Sequence, residues 1–204
     1  MTVGQIIDLA KNGELNGLNV GSKPEVLVGY MNLGVLELYK RFQLKVEEYI
    51  IELQDTTDIY TMPSDYMWML AAYGEVPIDS VESVNILPIN EEDNPLSINT
   101  VGWNKVQIPV SVVGAYVSII YVASSPVYTI NDLDTEVDLP AQMIEALLMY
   151  MGYRANSSID TGVQTEDSIY YQRFEASCEK LKQFGMFNSD DMFMNKRIAL
   201  RGFV

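Results

Sequence analysis

Apolar residues recur at helical spacing near both ends of the chain and at alternating spacing through its middle, and this change of period divides the sequence. Val3 to Asn12 reads as a short helix closed by Asn12-Gly13, with Asn16-Gly17 and Val20-Gly21 making the next stretch a loop. Ser22-Lys-Pro-Glu25 has the form of a capping box with proline where a first turn tolerates it, so a long helix is expected over 24–41. Leu27, Met31, Gly34 and Leu38 fall on one face of it, and Val26, Tyr30, Leu33 and Tyr39 widen the apolar surface. A helix apolar over that much of its circumference is central in a core or shared with a neighbour.

From Gln43 the period shortens. Leu44, Val46, Tyr49, Ile51 and Leu53, then Ile59, Tyr60 and Met62, are strand residues around the turn-like Gln54-Asp-Thr-Thr-Asp58, and they predict a β-hairpin. Pro63 ends the second strand, and Ser64 or Asp65 is placed to cap a short helical turn carrying Tyr66, Trp68 and Leu70. Strand-like runs follow at Ser83 to Pro88, Leu96 to Asn99, Lys105 to Ile108 and Ala115 to Val122, broken at Glu91-Glu-Asp-Asn-Pro95, Val101-Gly102 and Val113-Gly114. An acidic connection, Asn131 to Pro140, leads to a helix over 139–156, with Asp138 as its expected cap and Met143, Ile144, Leu147, Leu148 and Met151 as its apolar stripe. Asn156 to Gly162 breaks it. Thr165 is the expected cap of a last helix, 165–184, with Tyr170, Phe174, Cys178 and Leu181 on one face. The prediction is an α+β fold: a single domain over 1–189, a helical bundle of sequence-distant helices with an inserted antiparallel β subdomain at about 43–125, and an extended C-terminal tail over 190–204.

That tail changes the picture when charge is added. The chain carries a formal net charge of −15 over 204 residues, yet beyond Asp191 its end holds Lys196, Arg197 and Arg201 and no acid. Met192, Phe193, Met194, Ile198, Leu200 and Phe203 make the same segment apolar, so it is expected to be a docking peptide that orders on another subunit. The acidic body argues against a sequence-independent grip on DNA, which requires Lys and Arg to displace counterions from phosphates. Cys178 is the only cysteine, which leaves no internal disulfide, and the start of the chain has neither the basic residues nor the apolar run of a signal peptide. No membrane partner is expected.

Chemistry is scarce. The chain has no histidine, and therefore lacks the commonest general base and metal ligand. No serine sits in a Gly-x-Ser-x-Gly frame and no glycine-rich phosphate loop is present, so no enzyme activity and no cofactor are expected. Asp132, Asp134, Glu136 and Asp138 alternate, and in an extended segment they would share one face suited to a hard cation. An EF-hand loop counted from Asp132 needs glycine at position 137 and glutamate at 143, where the chain has Val137 and Met143, so a solvated loop ending in a cap is preferred over a metal site. Glu91-Glu-Asp93 reads as an exposed turn.

Several segments together resemble the head-to-tail connector, or adaptor, proteins of tailed bacteriophages, of the short-tailed type. These are the helix from Ser22, the corner Tyr60-Thr-Met-Pro-Ser-Asp-Tyr66, the run Ile119-Ile-Tyr-Val-Ala-Ser-Ser-Pro126, and the return Val137-Asp-Leu-Pro-Ala-Gln-Met-Ile-Glu145 with a second helix and an extended end behind it. The resemblance implies a virion structural protein made in the host cytoplasm, with twelve copies in a ring beneath the portal protein at the head-tail junction. It further implies helices as the ring wall, a β part toward the tail nozzle or fibre proteins, DNA passing through the channel without specific binding, and Met192 to Val204 docked on the portal. Two alternatives stand beside it: a tail or baseplate component that attaches fibres, and a ligand- or metal-binding α+β domain.

Overall fold

The computed structural model describes residues 1–13, 15–16, 23–55, 57–75, 85–109, 112, 116–157 and 169–184. The chain divides into two compact units, Met1–Phe42 with Ser125–Val204, and Gln43–Ser124. It is mixed α+β, with four α-helices and two antiparallel sheets among the described residues.

The first unit is helical. Helix α1 (Val3–Asn12) opens on a reciprocal cap in which Gln5 N–H donates to Thr2 Oγ1 and Thr2 N–H donates to Gln5 Oε1, satisfying two first-turn donors. It buries Val3, Ile6, Ile7 and Ala10. Helix α2 (Pro24–Phe42) starts with proline in its first turn, where the missing N–H costs nothing, and buries Leu27, Met31, Gly34, Val35, Leu38 and Tyr39. The capping residue expected there, Ser22, lies outside the described residues, as does Thr165 before the last helix.

Helices α3 (Ile144–Ser157) and α4 (Ile169–Gln183) complete the unit. Two glycines mark close helix approaches. A Cβ on Gly34 of α2 would lie 2.6 Å from Leu147 Cδ1 of α3, and one on Gly152 of α3 would lie 2.7 Å from Tyr170 Cδ1 of α4. Phe174 is fully buried and meets the Tyr150 ring edge-on at 5.1 Å, and the buried thiol of Cys178, one turn on, is pushed up to about 11 by burial. Asp138 does not cap α3. A 3-10 turn at Ala141–Met143 precedes that helix with no side-chain cap, and the Asp138 carboxylate accepts a hydrogen bond from Tyr39 instead.

The second unit holds both sheets. Strands β1 (Val46–Glu52), β3 (Tyr66–Glu75), β4 (Asn85–Leu87) and β7 (Tyr116–Ala123) form one sheet in the order β1-β7-β3-β4, and β2 (Ile59–Thr61), β6 (Lys105–Gln107) and β5 (Asn99–Gly102) form the other. Ile51, Ile98, Val106, Ile108, Ile119 and Tyr121 close a shared apolar core. Two expectations fail here. The hairpin across Gln54 to Asp58 is absent, because β1 pairs with β7 from Val46↔Val122 to Glu52↔Tyr116 while β2 joins β6. Strand β7 is buried on both faces and needs a neighbour of its own length on each side, which three-residue β2 cannot be. The turn is closed by a side chain, Tyr60 Oη accepting from Gln54 N–H and donating to the Thr57 carbonyl.

The helical turn expected at Tyr66 to Leu70 is instead the start of β3. Tyr66 N–H donates to the Pro63 carbonyl in a tight turn, and pairing with β7 then overrides local propensity, with register shifts between Tyr66 and Trp68 and between Met69 and Ala71.

Candidate interaction surfaces

The segment 125–140 is built to stay in place. Asn32, within the apolar stretch of α2 from Val26 to Leu36, clamps it with both ends of its amide: Nδ2–H donates to the Tyr128 carbonyl at 2.8 Å, and Oδ1 accepts from Tyr128 N–H at 3.0 Å. Tyr128 Oη accepts from Asp138 N–H, and Tyr39 Oη donates to the Asp138 carbonyl and carboxylate at 2.8 and 2.9 Å. Burial first, and then that carboxylate, push the Tyr39 hydroxyl far above its ordinary pKa, so it acts as a fixed donor. The N-terminus is laid along the same segment through Val3 N–H to Thr135 O, Gly4 N–H to Leu133 O and Val137 N–H to Met1 O.

This geometry dissolves the row of alternating acids. Asp132 belongs to a 3-10 turn, Ile130–Asp132, and accepts from Thr129 N–H and Oγ1–H at 2.7 Å each, which hold its carboxyl below the usual range. Asp138 faces Tyr39. Among the described residues no group of three or more His, Cys, Asp or Glu is arranged to hold a metal ion, and no helix is long and apolar enough to cross a membrane.

Helices α2 and α4 are joined by one cation. The Arg41 guanidinium donates to both carboxylate oxygens of Glu175 at 2.7 and 2.5 Å and to Glu37 at 2.9 Å, and lies 4.8 Å from the Phe174 ring centroid. Beyond this tie, α2 keeps an apolar outer strip of half-buried Val26 and Tyr30 and exposed Leu33, the part of the wide apolar surface that this unit does not cover.

In the β unit the corner Met62-Pro-Ser-Asp-Tyr66 gathers three partners on one residue. The Asp65 carboxylate accepts from Lys45 Nζ at 3.3 Å and Tyr121 Oη at 3.2 Å, and its carbonyl accepts from Ser124 N–H at 2.7 Å. Burial and then Asp65 push the Tyr121 hydroxyl up to about 12. The β5–β6 turn does the opposite. Its Trp103 is 73% exposed and neighbouring Val101 49% exposed. In the sequence Val101-Gly102 reads as a simple break and Trp103 carries no periodic signal, although a large ring between Gly102 and Asn104, both turn residues, is itself a sign of display.

The tail residues Met192, Phe193, Met194, Lys196, Arg197, Ile198, Leu200, Arg201 and Phe203 lie outside the described residues. A family model described as SU10 adaptor protein matches residues 1–197. The chain belongs to the SU10 adaptor protein family. That membership bears out the resemblance to head-to-tail adaptors; of the four segments that carry it, the Tyr60 to Tyr66 corner holds a hydrogen-bonded turn and the Val137 to Glu145 return a 3-10 entry into α3. No curated protein matches. Among solved structures, a chain from the neck of an empty GTA particle computed with C6 symmetry is similar, with 12% identity, 83% of this chain and 87% of that chain covered, and a TM-score of 0.30.

Proposed function

We propose that this SU10-family adaptor is a non-enzymatic virion protein that forms a twelve-fold ring beneath the portal, joins portal to tail, and lines a channel through which DNA passes. Membership of the adaptor family over residues 1–197 carries this reading. Three observations support it. The net charge of −15 suits a passage that must not hold DNA, the uncovered apolar strip of α2 suits contact between copies, and the basic, apolar segment from Met192 to Val204 suits docking on the portal.

The test is mass in solution, measured by light scattering behind a sizing column, for the protein alone and mixed with the portal protein encoded beside it. A large complex with near-equal numbers of the two chains is expected. Removing residues 190–204 leaves the melting temperature unchanged and abolishes the complex; a truncated chain that docks normally overturns the role given to the tail.

A further inference from the structure

We infer that the β5–β6 turn is a preformed anchor in which Trp103 inserts into an apolar pocket, bordered by Lys or Arg, on a protein other than this one. The inference rests on the adaptor reading above, since it places the anchor in an assembled particle, and adds the contact residue and the chemistry of its partner. An isolated exposed tryptophan is unremarkable on a mobile loop, where ordering it would consume much of the gain from burial. This one is on a fixed base. Asn104 at the tip accepts through its carbonyl from Met62 N–H at 2.8 Å, Thr100 N–H donates to Asn90 Oδ1 at 2.9 Å, and Gln107 Nε2–H donates to Asp58 Oδ2 at 2.7 Å. Val106 between them is fully buried in the core. The backbone that carries the ring is therefore set before any partner arrives, which is the condition under which a tryptophan becomes the dominant contact of an interface.

Charge selects the partner. Within 43–124 there are two basic side chains, Lys45 and Lys105, against twelve acidic ones. Asn90, which holds β5, leads directly into the exposed Glu91-Glu-Asp93. Lys105 beside the turn is outweighed by the surplus of acids in the unit, so a second copy of this unit is repelled as a whole, whereas a pocket with Lys or Arg at its rim gains long-range steering. An anionic lipid surface is disfavoured for the same reason.

The experiment is to assemble particles with full-length chain carrying Trp103→p-benzoylphenylalanine, irradiate them, and identify the coupled peptide by mass spectrometry. Coupling to a different particle protein, at an apolar segment containing Lys or Arg, is the expected result. Coupling to another copy of this chain, or an uncoupled probe in particles that contain the chain, overturns it. Particles that lack the chain altogether overturn the adaptor reading as well, and its mass in the particle digest tells the two failures apart. With the partner identified, Trp103→Ser is expected to weaken binding about 30-fold at an unchanged melting temperature, and Trp103→Phe to restore most of it; undiminished binding by Trp103→Ser sinks the proposal.

Discussion

The helical unit spends its polar side chains on holding its own segments together, whereas the β unit braces the backbone of one turn and leaves that turn's apolar side chains bare. Asn32, Tyr39 and Asp138 are consumed in holding 125–140 against α2, and Arg41 in holding α4. In the β unit Asp65 ties Lys45, just before β1, and Tyr121 of β7 to the turn before β3, while Val101 and Trp103 stand in solvent. Side chains satisfied internally cannot also bind a partner without releasing what they hold. Stability should therefore be sensitive at the first set of residues and indifferent at the second, and assembly should show the reverse.

The largest effect is expected at Phe174. Truncation to alanine removes a fully buried ring from between Tyr150 and Arg41, and should cost about 4 kcal/mol, read from the urea midpoint at unchanged slope. A loss below about 1 kcal/mol would mean that the helical unit is not organised around this ring.

Next comes Asn32→Leu. The substitution suits an apolar helix face but strands the Tyr128 N–H and carbonyl, so a loss of about 2 to 3 kcal/mol is expected where propensity alone would predict a small gain. Stability equal to that of the parent chain would show that water replaces the clamp.

This residue also marks where the sequence was legible and where it was not. The helices could be read because each carries an apolar stripe of period 3.6, as Phe174, Cys178 and Leu181 do on α4, and two of them a local start signal as well: Thr2 at α1 and Pro24 at α2. Asn32 left no such signal, since its partner stands 96 positions away. Strand pairing failed for the same reason. Nothing local says that β1 must cross to β7, and the turn residues Gln54 to Asp58 invited the nearer pairing that β7, buried on both faces, outcompetes. Asp138, and Asp65 as an alternative to Ser64, look like helix caps from their place before an apolar run, yet both carboxylates accept from distant tyrosine hydroxyls. The basic, apolar character of Met192 to Val204 can be read directly from the sequence, whereas Trp103 is marked only by the turn residues that flank it.

A smaller effect, with a defined pH dependence, is expected at Glu175. The Arg41 guanidinium holds its carboxyl below the usual range, so the folded chain binds that proton less readily than the unfolded one. The resulting stability is present above the ordinary carboxylate pKa of about 4 and disappears as pH falls through the lower folded value. The pair is partly exposed, so Glu175→Gln should cost about 1 kcal/mol at neutral pH, and the gap between parent and variant should close in acid. A gap that stays constant from pH 7 down to pH 2 would assign the loss to packing and not to the ion pair.

The smallest effect on folding is expected where assembly is most exposed to damage. Trp103→Ser and Val101→Ser remove apolar surface that the folded chain leaves in water, so each should change stability by less than about 0.5 kcal/mol in either direction. The turn they sit on is fixed by Asn104, Thr100 and Gln107, and none of these bonds involves the substituted side chains. Replacing Asn90 is the informative control. Its amide oxygen holds Thr100 N–H, and its backbone sits in the left-handed region at φ 52°, which asparagine tolerates better than most residues. Asn90→Ala should cost about 1 kcal/mol through that lost bond and the strained backbone, while leaving the tryptophan itself untouched. If Asn90→Ala weakens partner binding as well as folding, presentation of the ring matters in addition to its presence; if it weakens folding alone, the ring finds its pocket from a loosened base, and the contrast between a braced turn and a free one loses its functional meaning.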